Sequence, residues 1–403
     1  MSRRLGLSVN NTSAAERICR DYGLADPAPH WHRTVGYTAP TSPEAAPTPE
    51  ESVAHDREMA RLKADLASVK RRYAAALKSA NLHEDILEIA RQEMSRYAPV
   101  EIQPPHIGTG RVEEDAILAW ADWHADEVVD LDVMEGYNEY RPELVCRRAQ
   151  YTVDHTLDTL FRCHVGTTFG RLWVFNLGDN ITGMLLDENK MTNSMRPMAA
   201  LRFLARLQAR ALCELSAHIP VTAVYVPGNH PRTSPKMQSK LPTENGDWLL
   251  AEMVGDLTAD NERVTVVSPK AWSAVVNIRG WNHSLNHGYS AAKGGYGGIP
   301  WYSYQRTDGK LTALESAHGK RIHYRWWGHV HQKSEIPMMD GSGDQFIVGS
   351  LMGGNEYALA NLSAYAQPVQ KLVGVHDKMG ATWRYPLDVK HADGESSRYE
   401  DLI

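Results

Sequence analysis

Five short clusters hold the residue types that bind metal ions and move protons. They are Asp122-Trp123-His124, Gly178-Asp179-Asn180, Gly228-Asn229-His230, His287-Gly288 and Gly328-His329-Val330-His331. Each follows a strand-like run such as Ala116–Ala121, Leu172–Phe175, Val221–Val226 or Arg325–Trp327. A strand closed by a tight turn presents its polar residues at the carboxyl end, where open α/β sheets place ligands. One Gly-Asn-His alone reads as an ordinary turn with a surface polar pair; five such coincidences in order do not. Imidazole nitrogen combined with carboxylate oxygen suits borderline divalent metals such as manganese, iron, zinc or nickel. Cys19, Cys146, Cys163 and Cys213 lie far apart with no Cys-x-x-Cys, so neither a zinc knuckle nor a disulfide framework is supported.

The elements that position these clusters alternate. Helical periodicity fills Glu143–Cys163, Met198–His218 and Trp248–Leu257, and strand-like runs fill the gaps and dominate after Val264. Strand after helix after strand predicts sheets covered by helices, an α/β class. Upstream, residues 1–38 hold one short helical pattern, and 39–54 are a Pro-rich linker with Pro40, Pro43, Pro47 and Pro49. Residues 55–98 then turn coiled-coil-like. Met59, Leu62, Leu66, Val69 and Tyr73 are spaced three, four, three and four apart, and a second amphipathic segment runs from Leu82 to Tyr97. This segment predicts a homo-oligomer, with packing on the chain's own catalytic domain as the alternative. A catalytic domain is expected over 106–388 and a flexible tail over 389–403.

The order and spacing of the five clusters resemble the calcineurin-like metallophosphoesterases over about residues 113–388. Asp122–Val129 and Val348–Tyr357 further resemble the phage and prophage branch of that family. The resemblance implies a metallophosphoesterase-type sandwich of two mixed β-sheets flanked by helices. It implies two divalent metal ions, manganese ahead of iron, zinc or nickel: one held by Asp122, His124, Asp179 and His331, the other by Asp179, Asn229, His287 and His329. Asp179 is then the bridge. The ions' surplus positive charge acidifies a bridging water, whose hydroxide attacks phosphorus. His230 stands near the leaving oxygen as proton donor. Where the family places an acidic residue after this histidine, the chain has Pro231. His287 is preferred to the rival His283 because a glycine follows it, and His155, His318 and His323 are read as structural.

Arg232 and Lys236 are candidate phosphate contacts, with a solvated basic loop as the alternative, and Tyr289 opens a flexible Gly-rich, aromatic loop to Tyr304 that suits a lid, a base-stacking platform or an ordinary loop whose aromatics pack on the core or on a partner subunit. The function expected is phosphodiester hydrolysis, with DNA or RNA as substrate. The alternatives are a protein or small-molecule phosphatase and a cyclic-nucleotide phosphodiesterase. The Asp-Arg-Gly extension of the family's protein phosphatases is replaced by Gly178-Asp179-Asn180-Ile181-Thr182-Gly183, which counts against that branch. With 403 residues and a net charge of −6, the chain carries no global electrostatic case for nucleic acid, so any such contact is local. No apolar run approaches the roughly 20 residues that span a bilayer, and the start Met-Ser-Arg-Arg-Leu lacks a secretory core; a cytoplasmic, membrane-free protein is expected.

Overall fold

The computed structural model describes residues 49–95, 110–183, 193–234, 241–292 and 298–403. The expected short helix within 1–38, most of the Pro-rich linker, Lys236 and the glycines of 294–297 lie outside them. The chain divides into a unit Met1–His106 and a unit Ile107–Ile403.

In the first unit, α1 (Pro49–Ser95) is one uninterrupted helix of 47 residues. It absorbs the end of the expected linker, because Pro49 stands at its first position, where a missing N–H costs nothing. It also fuses the two amphipathic segments, since Ala74-Ala75-Ala76-Leu77 between them are strong helix formers. Every described side chain along it is exposed.

The second unit is built on two sheets. The larger contains β1 (Val112–Trp120), β2 (Thr167–Asn176), β3 (Val221–Tyr225), β4 (Val264–Val267), β10 (Val369–His376) and β11 (Gly380–Asp388), in the order β11-β10-β1-β2-β3-β4. β1 through β4 run parallel, and β10 and β11 pair antiparallel at one side. The smaller sheet has β5 (Ser273–Ile278), β6 (Trp281–Asn286), β7 (Tyr324–Trp327), β8 (Ser334–Pro337) and β9 (Asp344–Ile347), in the order β5-β6-β7-β9-β8. β6, β7 and β9 are parallel. Helices α2 (Pro142–Asp158), α3 (Pro197–Ser216), α4 (Gly246–Leu257), α5 (Trp301–Ala317) and α6 (Glu356–Leu362) complete the unit.

The period of two along β1 explains the layering. Ala116, Leu118 and Trp120 enter the core shared with α2 and α3, whereas Ile117, Ala119 and Ala121 face Trp326, Phe346 and Leu285 of the second sheet. β3 divides the same way, Val221, Ala223 and Tyr225 against Val224 and Val226. A strand buried on both faces reads as a continuous apolar run, which is how these segments stand in the sequence. The expected helices over 143–163, 198–218 and 248–257 correspond to α2 with its π turn Thr159–Cys163, to α3 and to α4.

Two expectations are corrected. The stretch to Tyr304 is not all loop: Trp301–Ala317 is helical, Tyr304 is buried against Trp327, and Asp308 on the same face pairs with buried Arg325. The sequence conceals this helix because its inward face is carried by an ion pair. Residues 389–403, expected as a flexible tail, are docked. Val389–Ala392 and Glu400–Leu402 form 3-10 turns, and Tyr399 is fully buried. Asp393 receives both Nε and Nη2 of Arg148, whose guanidinium is itself buried, and Arg398 pairs with Asp154 and Glu214. Polar anchors, invisible to periodicity, hold this end. No described helix is long and apolar enough to cross a membrane.

Candidate metal centre

The carboxyl ends of β1, β2 and β3 meet those of β6 and β7 along one edge, each delivering one cluster. Backbone bonds knit the turns together: Asp122 N–H and His124 N–H donate to the carbonyls of Gly178 and Asp179, and Gly328 N–H donates to that of His287. Asp122, His124, Asp179, His329 and His331 all have positive φ, between 44° and 76°. A left-handed backbone at a non-glycine residue costs on the order of 1 kcal/mol, and it gathers where the chain must aim a side chain sharply. Gly178, at φ 88°, and Gly228 are required for another reason. A Cβ on either would collide with the other's turn, on Gly228 N and on the Asp179 carboxylate respectively.

Six expected ligands converge as two groups, Asp122 with His124 and His331, and Asp179 with His287 and His329. Within each group one ligand atom per residue lies within 4.8 Å of the others. Asn229 Oδ1 is 3.0 Å from His287 Nε2, which places it with the second group. Three imidazoles are held through Nδ1: His124 against Thr182 Oγ1 (2.8 Å), His287 against the Leu177 carbonyl (2.8 Å) and His331 against the Gly353 carbonyl (3.1 Å). A proton kept on Nδ1 leaves the Nε2 lone pair as the donor, the tautomer a metal ligand needs. The Nε2 atoms of His124 and His331 stand 3.2 Å apart beside Asp122, an arrangement in which both can face one cation. The residues present therefore fit divalent ions.

The electrostatics agree. Burial holds His124 well below the usual imidazole range, and His230 and His331 push it lower. His331 is raised, the hydrogen bond and charge of Asp122 outweighing its burial. His287 rises to about 9 although burial opposes this, because Asp179 lies 2.9 Å away, and Asp179 is held well below the usual carboxylate range by His287 and His230 against its own burial.

Behind the ligands lies support that sequence reading missed. Asp247, buried at the start of α4, accepts four hydrogen bonds. Its Oδ2 takes Asp179 N (2.9 Å) and Gly228 N (2.8 Å), and its Oδ1 takes Asn180 N (3.1 Å) and Asn180 Nδ2 (2.7 Å). One carboxylate thus ties the Gly-Asp turn to the Gly-Asn-His turn, although no acidic residue follows His230. Burial and the neighbouring Asp179 raise its carboxyl to about 6. The available signal was Asn245-Gly246-Asp247, in which Asn245 caps the helix by accepting Asp247 N; that pattern marks a helix start and nothing more. Thr182 hydroxyl, beside His124, donates to Glu127 (2.6 Å), and Asp126 accepts Thr182 N and Gly183 N.

His230 lies in the cavity wall despite Pro231. Its backbone N–H donates to Asp179 Oδ1 (2.7 Å), its Nδ1 is 3.4 Å from the Thr182 carbonyl, and its ring stands edge-on to His124 at 5.0 Å. His230→Ala is expected to retain metal but to turn over about 100-fold slower, as for loss of a proton donor. Elemental analysis beside steady-state rates checks both halves. Arg232 turns back to donate to the Asn229 carbonyl and is not among the described residues that line the cavity. Lys236 lies outside the described residues. Tyr289 is half-exposed and edge-on to His329 at 5.5 Å. His283, the rejected rival, is buried in the core, stacked on Tyr324 and accepting Trp326 Nε1–H.

The cavity at this edge has a volume of about 880 Å³. From His124, His230, His329 and His331 it runs between the segment holding Glu127, Asp130 and Val133 and the segment holding Glu356, Tyr357 and Tyr365. Among its described lining residues there is no Lys or Arg.

No family model matches the chain. It is similar to the SPbeta prophage-derived uncharacterized protein YonJ of Bacillus subtilis, 22% identical over 303 residues that cover 70% of this chain and 68% of the relative. Similar solved structures include the zinc-complexed Vps29 of Entamoeba histolytica, with 12% identity, a TM-score of 0.28, and 68% of this chain against 99% of the other covered. The Thermus thermophilus sulfate thiohydrolase SoxB has 12% identity and a TM-score of 0.30, with coverage of 75% and 60%.

Proposed function

We propose that this chain is a metallophosphoesterase of phage or prophage type, a dinuclear-metal-dependent hydrolase of phosphodiesters that acts on nucleic acid at strand ends or on single exposed nucleotides. The observation that carries the reading is the pair of carboxylate–imidazole groups, with Nδ1 of three imidazoles anchored, opening on a cavity whose described lining lacks Lys and Arg. Asp122, His124 and His331 would hold one ion, and Asp179, Asn229, His287 and His329 the other, with Asp179 serving both. Divalent ions there supply positive charge beyond the two carboxylates, drawing in phosphate oxygens and acidifying water.

The protein's own groups do the rest. Leu177 and Gly353 carbonyls and the Thr182–Glu127 pair keep three imidazoles aimed, and Asp247 fixes the two turns that carry Asp179 and Asn229. His230 protonates the leaving oxygen. A monoester dianion carries a further charged oxygen, which guanidinium or ammonium groups meet in sites built for it. A diester monoanion needs no such group, which favours diesters here. Tyr357 and Tyr365 in the cavity wall offer aromatic faces to a base, the role expected of the 289–304 stretch. Glu127, Asp130 and Glu356 repel a long run of phosphates, so a duplex lying through the cavity is disfavoured. The prophage-derived relative agrees with the phage setting.

The test is turnover of a chromogenic phosphodiester against the matching monoester with manganese present, followed by labelled single- and double-stranded DNA and RNA. Diester preference of at least about tenfold and release of nucleotides from single strands are expected. Strong monoester turnover with intact nucleic acid would move the assignment to a phosphatase.

A further inference from the structure

We infer that α1 joins two copies of this chain in a parallel, in-register coiled coil. A helix of 47 residues, about 70 Å long at 1.5 Å per residue, stands with every described side chain exposed, including Leu62, Leu66 and Val69 at 55–60%. In water, a lone helix draws most of its stability from packing an apolar face. The seam that begins at Met59 continues beyond Tyr73 at the same three-and-four spacing, through Ala76 and Ala80 to Leu87 and Ala90, because the helix does not break between the two amphipathic segments. His83 is the single polar residue in that run. A polar core position of this kind fixes register, since it is best placed opposite itself.

The charges on either side of the seam choose the occupant and its direction. In a parallel pair each residue before an a position faces the residue five further on in the partner. Glu58 then meets Lys63 of the second copy and Asp65 meets its Lys70, twice each by symmetry, with no like-charged pair among the flanking residues from Glu58 to Arg91. An antiparallel pair opposes these positions to their own kind and separates Glu58 and Asp65 from Lys63 and Lys70. The occupant is therefore a second copy of this chain, lying in the same direction.

Sedimentation equilibrium of the full chain tests this. A reversible dimer is expected for the natural sequence. Glu58→Lys with Asp65→Lys turns four attractions into repulsions and should weaken association at least tenfold at low salt, while adding Lys63→Glu and Lys70→Glu should restore it. All three chains should hydrolyse a chromogenic diester alike, since the substitutions lie outside the catalytic groups. A natural chain that stays monomeric at all concentrations would overturn the inference. So would a charge-reversed chain that associates as tightly as the natural one, or a fourfold variant that fails to recover.

Discussion

Asp179→Asn is expected to bind at most one divalent ion per chain and to lose about 1,000-fold or more in turnover. The reason is placement. Its Oδ2 is 2.9 Å from His287 Nε2 within the second ligand group, and its Oδ1 accepts the backbone N–H of His230, so one carboxylate would both ligate a metal ion and fix the turn of the proposed proton donor. An amide keeps the shape but removes the negative charge that would oppose two cations in a buried site; its oxygen can still accept the His230 N–H and its Nδ2 can donate to neutral His287 Nε2. Without metal, His287 loses the partner that raises it to about 9 and becomes neutral instead. Elemental analysis of reconstituted protein decides the point, and two tightly held ions in the variant would remove Asp179 from its bridging role.

Asp247→Asn is expected to weaken metal binding about 10- to 100-fold although Asp247 touches no candidate metal position. Four donors converge on its carboxylate, and an amide can accept on one side only, which leaves its NH₂ against two buried N–H groups. Unsatisfied buried donors cost ~1–3 kcal/mol each, so a loss on the order of 3 kcal/mol in unfolding free energy accompanies the weaker binding. Denaturant unfolding and metal titration of the folded protein separate the two effects. A variant that is less stable but binds metal with unchanged affinity would show Asp247 to be a fold element alone.

The contrast between Asp179 and Asp247 shows where sequence reading succeeds. Asp179 follows an apolar strand and a glycine, and the strand's period of two, the turn and the metal-binding side chain all occur in contiguous residues. Asp247 acts on residues 68 and 19 positions away, and its neighbourhood spells only a helix start. The same limit hid α5, whose inward face is an Asp308–Arg325 pair, and the docked end of the chain, held by Arg148 on Asp393. Sheet strands and ligand turns are local patterns set by hydrophobic alternation and glycine. Buried ion pairs and the second layer of the site depend on long-range pairing, which no single stretch records. Of the expectations for the stretch to Tyr304, packing of its aromatics on the core is the one that Tyr304 follows. Tyr304 is aromatic beside a glycine-rich stretch, yet it packs inward, while Tyr357 and Tyr365 reach the cavity from a segment that carried no such expectation.

The most direct test of the dinuclear assignment is the rate of chromogenic diester hydrolysis by chelator-stripped protein, measured as manganese is added in known molar ratio at protein concentrations well above the dissociation constant. Activity should be absent at the start, rise with added metal and level off at two equivalents per chain. Full activity in the stripped protein, or a plateau at one equivalent, would contradict it.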